Sequence, residues 1–143
     1  MYNYKAQLIR VVDGDTIDAY IDLGFKVVLK ERIRLMGIDT PESRTRNLAE
    51  KSWGLAAKKR LEALLSGKDF ILQTKLQKKG KFGRVLGTIV SAKDGFDINQ
   101  LLISEGLAIP YEGGNKDEAR AKHGVLEKWN THYGVYNGTE WFR

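Results

Sequence analysis

The sequence predicts a fold that is mainly β with helices (α+β), in which five strands form a closed barrel and about three α-helices pack around it. Two patterns predict this fold. Five short segments alternate apolar and polar residues or are rich in β-branched residues, as strands are. Between and after them, apolar residues recur at helical spacing until a glycine follows. With 143 residues, 42% of them hydrophobic and 29% charged, the chain is long enough for one domain with a buried core.

The first three strands are predicted from residues 8–35. Residues 8–12 are rich in strand-forming residues, and residues 16–23 alternate between apolar and polar side chains. The dipeptide Asp13-Gly14 between them accepts the positive φ angles of a tight turn, so the two strands are predicted to form a hairpin. A third antiparallel strand follows over residues 25–35.

The remaining elements alternate helices with strands. A helix is predicted over residues 48–66 and strands over residues 70–76 and 85–90. A short helix capped by Asp97 follows, and a last helix is predicted from Asp117 to Tyr133. Five strands, with one helix after the third and others at the end, suit a closed barrel of the OB type.

Composition narrows the classes of function. There are 24 lysines and arginines against 18 acids, a net charge of +6, which favours a polyanionic partner but also suits an ordinary soluble surface. The absence of cysteine excludes disulfides and thiolate metal sites, and the two histidines are not spaced as a zinc pair. No signal sequence or membrane span is visible. We therefore expect a soluble, cytoplasmic monomer of one domain, residues 1–143, without membrane contact.

Carboxylates and arginines are concentrated in a few short motifs. These are Asp13-Gly14-Asp15-Thr16, the run from Arg34 to Glu42, and Gly83-Arg84. Carboxylates can hold a hard divalent cation, which clamps a phosphate oxygen and helps to generate the attacking hydroxide. Guanidinium groups match two phosphate oxygens, and a remaining carboxylate can orient or deprotonate water. The motifs together predict a metal-dependent phosphodiesterase site.

One geometric condition must hold for this site to form. Arg34 and Asp39 are five residues apart, so a regular strand would place them on opposite faces. Gly37 lies between them, where we predict a bulge or a strand exit that turns the chain.

The three motifs, in this order and at this spacing, resemble the signature segments of the staphylococcal nuclease (thermonuclease) family. The resemblance covers roughly residues 5–133, and its most specific part is the run with Asp-Thr-Pro-Glu. It implies an OB-fold barrel of the staphylococcal nuclease type. It also implies hydrolysis of DNA or RNA by an endonuclease of low sequence specificity, in which the 5′ oxygen leaves and a 3′ phosphate remains.

The resemblance also implies a cation and its ligands. The carboxylates of Asp15 and Asp39 and the main-chain carbonyl of Thr40 match residues that bind calcium in this family. Asp13 matches a residue beside the metal, which contacts the metal's ligands or reaches the metal through water. Calcium is expected rather than magnesium, although oxygen ligands suit either ion.

Catalytic roles are likewise implied by the resemblance. Glu42 matches the general base, or a residue that only positions the water. Arg34 and Arg84 match the arginines that grip the scissile phosphate, with Arg84 better placed to help the leaving oxygen.

Contacts to the rest of the substrate are expected at four residues, Lys81, Tyr111, Arg44 and Arg46. The two arginines would form a cationic flap, or simply an ordinary surface loop. Tyr111, which the resemblance implies stacks on a base, is a single tyrosine where the family's best-known member has two, so binding is expected to be weaker or differently selective.

Two other functions match parts of the sequence. A catalytically silent module of the same fold would bind nucleic acid or protein, but such modules usually lose the metal or arginine positions that this chain retains. A single-strand-binding OB domain would need exposed aromatic residues on the barrel, and the predicted strands have few. We therefore expect an active, calcium-dependent endonuclease.

Overall fold

The structure is a computed structural model that describes residues 2–74 and 85–133, together with the backbone of residues 135–136 and 139–140. Its strands are β1 (Tyr2–Asp13), β2 (Thr16–Asp22), β3 (Val28–Leu35), β4 (Ile38–Asp39), β5 (Asp69–Thr74), β6 (Val85–Ser91), β7 (Ile109–Pro110), β8 (Val135–Tyr136) and β9 (Thr139–Glu140). Its helices are α1 (Leu48–Leu65), α2 (Ile98–Ser104), α3 (Lys116–Lys122) and α4 (Leu126–Thr131). Among these, no helix combines the length and apolar character that crossing a membrane requires.

Five strands form a closed barrel, as predicted, and their order around it is β1-β2-β3-β6-β5. β3 and β6 pair in parallel, whereas the other neighbours pair antiparallel. β1 is long enough to pair with β2 along its C-terminal part and with β5 along residues 2–7, which closes the barrel. The alternating apolar residues lie inside, where Ile17, Ile33, Leu72 and Ile89 are fully buried.

The predicted hairpin at Asp13-Gly14 is present, but its turn differs from the prediction. Asp13 pairs with Thr16, so the connecting residues are Gly14 and Asp15. Neither has a positive φ, and left-handed backbone is therefore not the reason for the glycine. A Cβ on Gly14 would lie 2.6 Å from the Cβ of Ala57. The missing side chain lets the hairpin turn approach α1.

Helix α1 lies beside the barrel, close to its predicted bounds. The Asn47 side chain caps it by accepting a hydrogen bond from the Glu50 amide, at 3.1 Å. Its apolar face packs into the core through buried residues that include Ala57, Leu61 and Leu65. Trp53 packs against this core, and Trp129 is fully buried.

The last predicted helix, from Asp117 to Tyr133, is wrong as a single element. Gly124 adopts a left-handed conformation with a φ of 74° and ends α3. The chain then starts α4, so four helices are present in the described residues instead of about three. This break brings Trp129 of α4 beside Arg120 of α3, whose guanidinium carbon lies 5.1 Å from the centre of the indole ring.

Candidate active site

The chain turns between Arg34 and Asp39, as the proposed site requires. β3 ends at Leu35, and Gly37 adopts a φ of 81°. Ile38 and Asp39 then leave the barrel and pair with β7. The prediction of a strand exit at Gly37 is confirmed.

Residues from both N-terminal motifs line a cleft of about 560 Å³ beside this turn. The barrel contributes the ends of β1, β2 and β3, and the segment before α1 and the start of α3 complete the walls. The lining residues are Val12, Asp13, Asp15, Thr16, Arg32, Arg34, Thr40, Pro41, Glu42, Arg44, Tyr111 and Lys116. Most of the predicted site residues are therefore neighbours in space.

The Asp15 carboxylate connects the hairpin turn to the second motif. Its Oδ1 accepts a hydrogen bond from the Thr16 hydroxyl at 3.0 Å, and its Oδ2 accepts one from the Thr40 amide at 3.3 Å. The same Oδ2 lies 3.6 Å from Nη2 of Arg34. These contacts fix the orientation of a carboxylate that lines the cleft.

The Arg34 guanidinium is held by the backbone at the turn. Nη1 donates to the Leu35 carbonyl at 2.7 Å and Nη2 donates to the Ile38 carbonyl at 2.8 Å. These two bonds leave other N–H groups of the fork for a ligand. A fixed, permanently charged guanidinium in a cleft is suited to binding a phosphate.

Asp39 is fully buried and precedes Thr40, which lines the cleft. Its Oδ2 accepts a hydrogen bond from Nε of Arg120 at 2.9 Å. Its Oδ1 has no hydrogen-bond partner among the described residues, although Nζ of Lys116 lies 3.8 Å away. A buried carboxylate oxygen without a hydrogen bond is energetically costly, and a cation could satisfy it.

Arg120 makes two further contacts around the site. Nη1 donates to Oε2 of Glu50 at 2.9 Å, and Nη2 donates to the Thr40 carbonyl at 3.2 Å. Burial alone would lower the pKa of the Arg120 guanidinium, but hydrogen bonds and charges from Asp39 and Glu50 outweigh burial and raise this pKa. The guanidinium is therefore charged at any working pH.

Sequence reasoning missed Arg120, Glu50 and Lys116. Arg120 and Glu50 are separated by 70 residues, and no local motif joins them. In the sequence these residues look like ordinary charged side chains, because a long-range ion pair leaves no periodic signal.

The backbone that carries Glu42 lies directly against α1. A Cβ on Gly54 would come within 2.3 Å of the carbonyl carbon and oxygen of Glu42, so only glycine allows this approach. The Glu42 amide donates to Oε2 of Glu50 at 3.0 Å, whereas the Glu42 side chain is exposed in the cleft. Contacts with Gly54 and Glu50 thus hold the Glu42 backbone in place, while the Glu42 carboxylate is exposed to the cleft.

Asp13 also stabilises this segment. Its Oδ1 accepts hydrogen bonds from the amide and the hydroxyl of Ser43, and its Oδ2 lies 3.9 Å from Nη2 of Arg44. Asp13 lines the cleft, but one of its oxygens is occupied by the Ser43 backbone and side chain.

Two of the four residues predicted to contact the substrate line the cleft. Tyr111 and Arg44 line the cleft, and the Tyr111 hydroxyl donates to the Gly114 carbonyl at 2.6 Å. Arg46 is exposed and is not among the described lining residues. Lys81 and Arg84 lie outside the described residues.

Comparison with known proteins identifies the family. Residues 32–131 match the family model described as staphylococcal nuclease homologue. The chain belongs to the staphylococcal nuclease family. The matched range includes the run from Arg34 to Glu42 and begins after the Asp13-to-Thr16 motif.

Curated relatives in several bacteria are similar to this chain. An uncharacterized endonuclease of Escherichia coli is 34% identical over 111 residues, covering 78% of this chain and 63% of the relative. Endonuclease YncB of Bacillus subtilis is 33% identical over 135 residues, covering 85% and 59%. The thermonuclease of Staphylococcus hyicus is 33% identical over 102 residues, covering 71% and 56%. The matched segments thus span about 56–63% of the length of these relatives.

The residues present suit the hard cation that the family resemblance implies. The described residues contain no group of three or more His, Cys, Asp or Glu side chains that could hold a metal ion. The candidate oxygen donors are the Asp15 carboxylate, Oδ1 of Asp39 and the Thr40 carbonyl, which also accepts from Arg120. Two carboxylates and a carbonyl suit calcium or magnesium, with water completing the coordination. The buried Oδ1 of Asp39, which accepts no hydrogen bond from the described residues and lies 3.8 Å from the Lys116 ammonium, is the observation that supports a cation here.

Proposed function

We propose that this chain is a calcium-dependent endonuclease that hydrolyses phosphodiester bonds of DNA, RNA or both, with low sequence specificity. One observation carries the proposal: a single cleft brings together the Asp15 carboxylate, the fixed Arg34 guanidinium and the exposed Glu42 carboxylate. Asp39, which precedes the lining residue Thr40 in the chain, adds a buried Oδ1 without a hydrogen bond among the described residues. The similar proteins of Escherichia coli and Bacillus subtilis are named endonucleases.

The proposed reaction is attack of water on a phosphodiester in this cleft. When bound, calcium supplies positive charge to the phosphate and promotes ionisation of water. The Glu42 carboxylate accepts the proton of the attacking water, whose oxygen forms the new bond to phosphorus. The bond from phosphorus to the 5′ oxygen breaks, and that oxygen takes up a proton from solvent water, so that a 3′ phosphate remains.

Arg34 stabilises the negative charge that grows on the phosphate. Its guanidinium is held in advance by the carbonyls of Leu35 and Ile38, so little reorganisation is needed when the substrate reacts. Arg84 is proposed to act on the leaving oxygen by its position in the family motif.

Positive charge around the cleft supports a nucleic-acid substrate. Arg32, Arg44 and Lys116 line it together with Arg34, and the chain carries a net charge of +6. Backbone phosphates attract such a surface without regard to base sequence, which accords with low sequence specificity.

A second candidate function is a catalytically silent module that binds nucleic acid or protein. One observation favours it: the Lys116 ammonium lies 3.8 Å from Oδ1 of Asp39, where a tethered positive charge could replace the cation. In that case the cleft would bind phosphate without cutting it.

The test is incubation of the purified chain with supercoiled plasmid, heat-denatured DNA and RNA, each with calcium, with magnesium and with a chelator. We expect cleavage with calcium that the chelator stops. A polymerase should extend the products only after phosphatase treatment, since a 3′ phosphate blocks extension. Binding without cleavage under either cation would support the silent module, and cleavage in chelator would contradict the metal requirement.

A further inference from the structure

Arg120 contacts the predicted metal ligands and, through Glu50, the segment that carries Glu42. We propose that Arg120 and Glu50 form a buried positioning pair that holds Asp39, the Thr40 carbonyl and the Glu42 backbone in their catalytic arrangement. The inference rests on the proposed nuclease function, and it concerns residues that lie outside the family motifs discussed above.

Each nitrogen of the Arg120 guanidinium has a different acceptor. Nε donates to Asp39 Oδ2 at 2.9 Å, Nη1 to Glu50 Oε2 at 2.9 Å and Nη2 to the Thr40 carbonyl at 3.2 Å. The Arg120 residue is only 5% exposed. A planar guanidinium that donates to three acceptors holds these acceptors in fixed positions relative to one another, and it also places a positive charge beside them.

The contact with Asp39 determines which carboxylate oxygen stays available. Arg120 donates to Oδ2, so Oδ1 is the oxygen left for a cation; Oδ1 has no hydrogen bond in the described structure and lies 3.8 Å from the Lys116 ammonium. Residues that hydrogen-bond to metal ligands orient them in this way in other metal sites. The cation site would therefore depend on a residue that does not bind the cation.

Glu50 extends the same network to the proposed base. Its Oε2 accepts hydrogen bonds from both Arg120 Nη1 and the Glu42 amide, at 2.9 and 3.0 Å. Glu50 also balances the charge of Arg120, so the ion pair of these two residues is neutral overall.

The ring of Trp129 packs against the Arg120 guanidinium. The Arg120 guanidinium carbon lies 5.1 Å from the centre of the Trp129 ring, a distance typical of a cation–π contact. Since Trp129 is fully buried, the arginine has little freedom to turn away from its acceptors.

The substitution Arg120→Lys separates geometry from charge. Lysine keeps the positive charge but concentrates it on one ammonium that cannot match the three separate acceptors of the fork. If only charge matters, Arg120→Lys will behave like the wild type. If positioning matters, turnover or calcium affinity should fall by roughly 10- to 100-fold, the range typical of groups that orient metal ligands.

The experiment compares the wild type with Arg120→Lys and Glu50→Gln. The matched control is Arg60→Lys, because Arg60 contacts Glu105 at 2.7 and 2.9 Å in a similar arginine–carboxylate pair that does not line the cleft. For each protein, kcat and KM on DNA are measured, together with the calcium Kd by calorimetry and the exchange rate of the Glu42 amide without metal.

We expect both site variants to lose roughly 10- to 100-fold in kcat or calcium affinity, with KM changed by less than about threefold. The Glu42 amide should exchange faster in Glu50→Gln, and Arg60→Lys should match the wild type. Wild-type kcat, calcium affinity and Glu42 exchange in both folded site variants would overturn the proposal. If Arg120→Lys does not fold, Glu50→Gln, which keeps the size of the side chain, decides by the same readouts.

Failure of the nuclease function would look different. A wild-type protein that neither cuts DNA nor binds calcium would refute the proposed function. Unchanged exchange of the Glu42 amide in Glu50→Gln would then also refute the positioning pair, because that hydrogen bond is read without metal or substrate.

Discussion

Nε of Arg120 donates a hydrogen bond to Oδ2 of Asp39 over 2.9 Å, and Oδ1 of the same carboxylate has no hydrogen-bond partner among the described residues. The carboxylate is fully buried, so neither oxygen is solvated by bulk water. A buried carboxylate oxygen without a hydrogen bond costs free energy, which the Lys116 ammonium 3.8 Å away reduces and a bound cation or water molecule would reduce further. We therefore expect that a cation bound at Asp39 would stabilise the fold.

Calcium should raise the thermal stability of the protein through this linkage. At about 100 times its Kd, a ligand that binds only the native state contributes about 2.7 kcal/mol. Asp39→Asn should abolish the calcium-dependent rise in Tm measured by calorimetry. Asp69→Asn is the control, since Asp69 bonds to Gln7 and Lys5 away from the cleft, and it should keep that rise. An equal rise in Tm for Asp39→Asn would place the cation elsewhere.

Arg34→Ala should reduce turnover by at least the roughly hundredfold typical of losing one transition-state donor. The carbonyls of Leu35 and Ile38 hold the Arg34 guanidinium in place at the turn. Removing this group should therefore affect kcat more than KM. The measurement is steady-state cleavage of DNA, normalised to the folded fraction. Arg10→Ala, which removes a partner of Asp18 on the barrel surface, should retain activity. The same loss is predicted for Arg84→Ala.

Gly54→Ala should damage the site through the backbone of Glu42. The added methyl group would lie 2.3 Å from the Glu42 carbonyl, so the segment must move away from α1. We expect at least a tenfold loss of kcat, and overpacking typically costs about 1–3 kcal/mol of stability. The control is Ala63→Gly at an exposed position of the same helix, which costs about 1 kcal/mol of helix stability and should keep kcat. Wild-type kcat in Gly54→Ala would show that this close approach has no role in activity.

Asp18 should make the stability depend on pH in the acid range. Hydrogen bonds from Arg32, and then from Arg10, outweigh burial and lower the pKa of Asp18 from 3.8 to about 2. Since the folded pKa is depressed, this stabilisation is full above about pH 4 and is lost as the pH falls towards 2. We expect it to be on the order of 1–2 kcal/mol.

Urea unfolding of the wild type and Asp18→Asn between pH 6 and pH 3 tests this. The difference in the free energy of unfolding should be largest at pH 6 and should shrink as the pH falls. A constant difference would mean that the Asp18 carboxylate has the same pKa in the folded and unfolded states.

Local patterns predicted much of the fold. The alternation around Ile17 and the glycine at position 37 correctly predicted the barrel strand and the strand exit, since both depend on neighbouring residues. The role of Gly14 was wrongly assigned, because its constraint is the approach of Ala57, more than forty residues away in the chain. The effect of Gly124 was missed because the helical spacing of apolar residues continues across it.

The site was predicted only as far as its motifs extend. Asp15, Arg34 and Glu42 lie in short runs whose chemistry can be read directly, and the structure places them in one cleft. The pairing of Arg120 with Glu50 depends on how α3 packs after the barrel has closed, which local spacing does not encode. Calcium, the 3′-phosphate product and the monomeric, cytoplasmic state stay predictions.

The most direct measurement is cleavage of heat-denatured DNA by the wild type and Glu42→Gln, purified in parallel and tested with calcium and with chelator. The wild type should cut only with calcium. Glu42→Gln should bind the DNA equally well but cut it at least roughly 100-fold more slowly, because it lacks the group that accepts the proton. Equal cutting by both proteins, or binding without cutting by the wild type, would contradict a metal-dependent nuclease with Glu42 as its base.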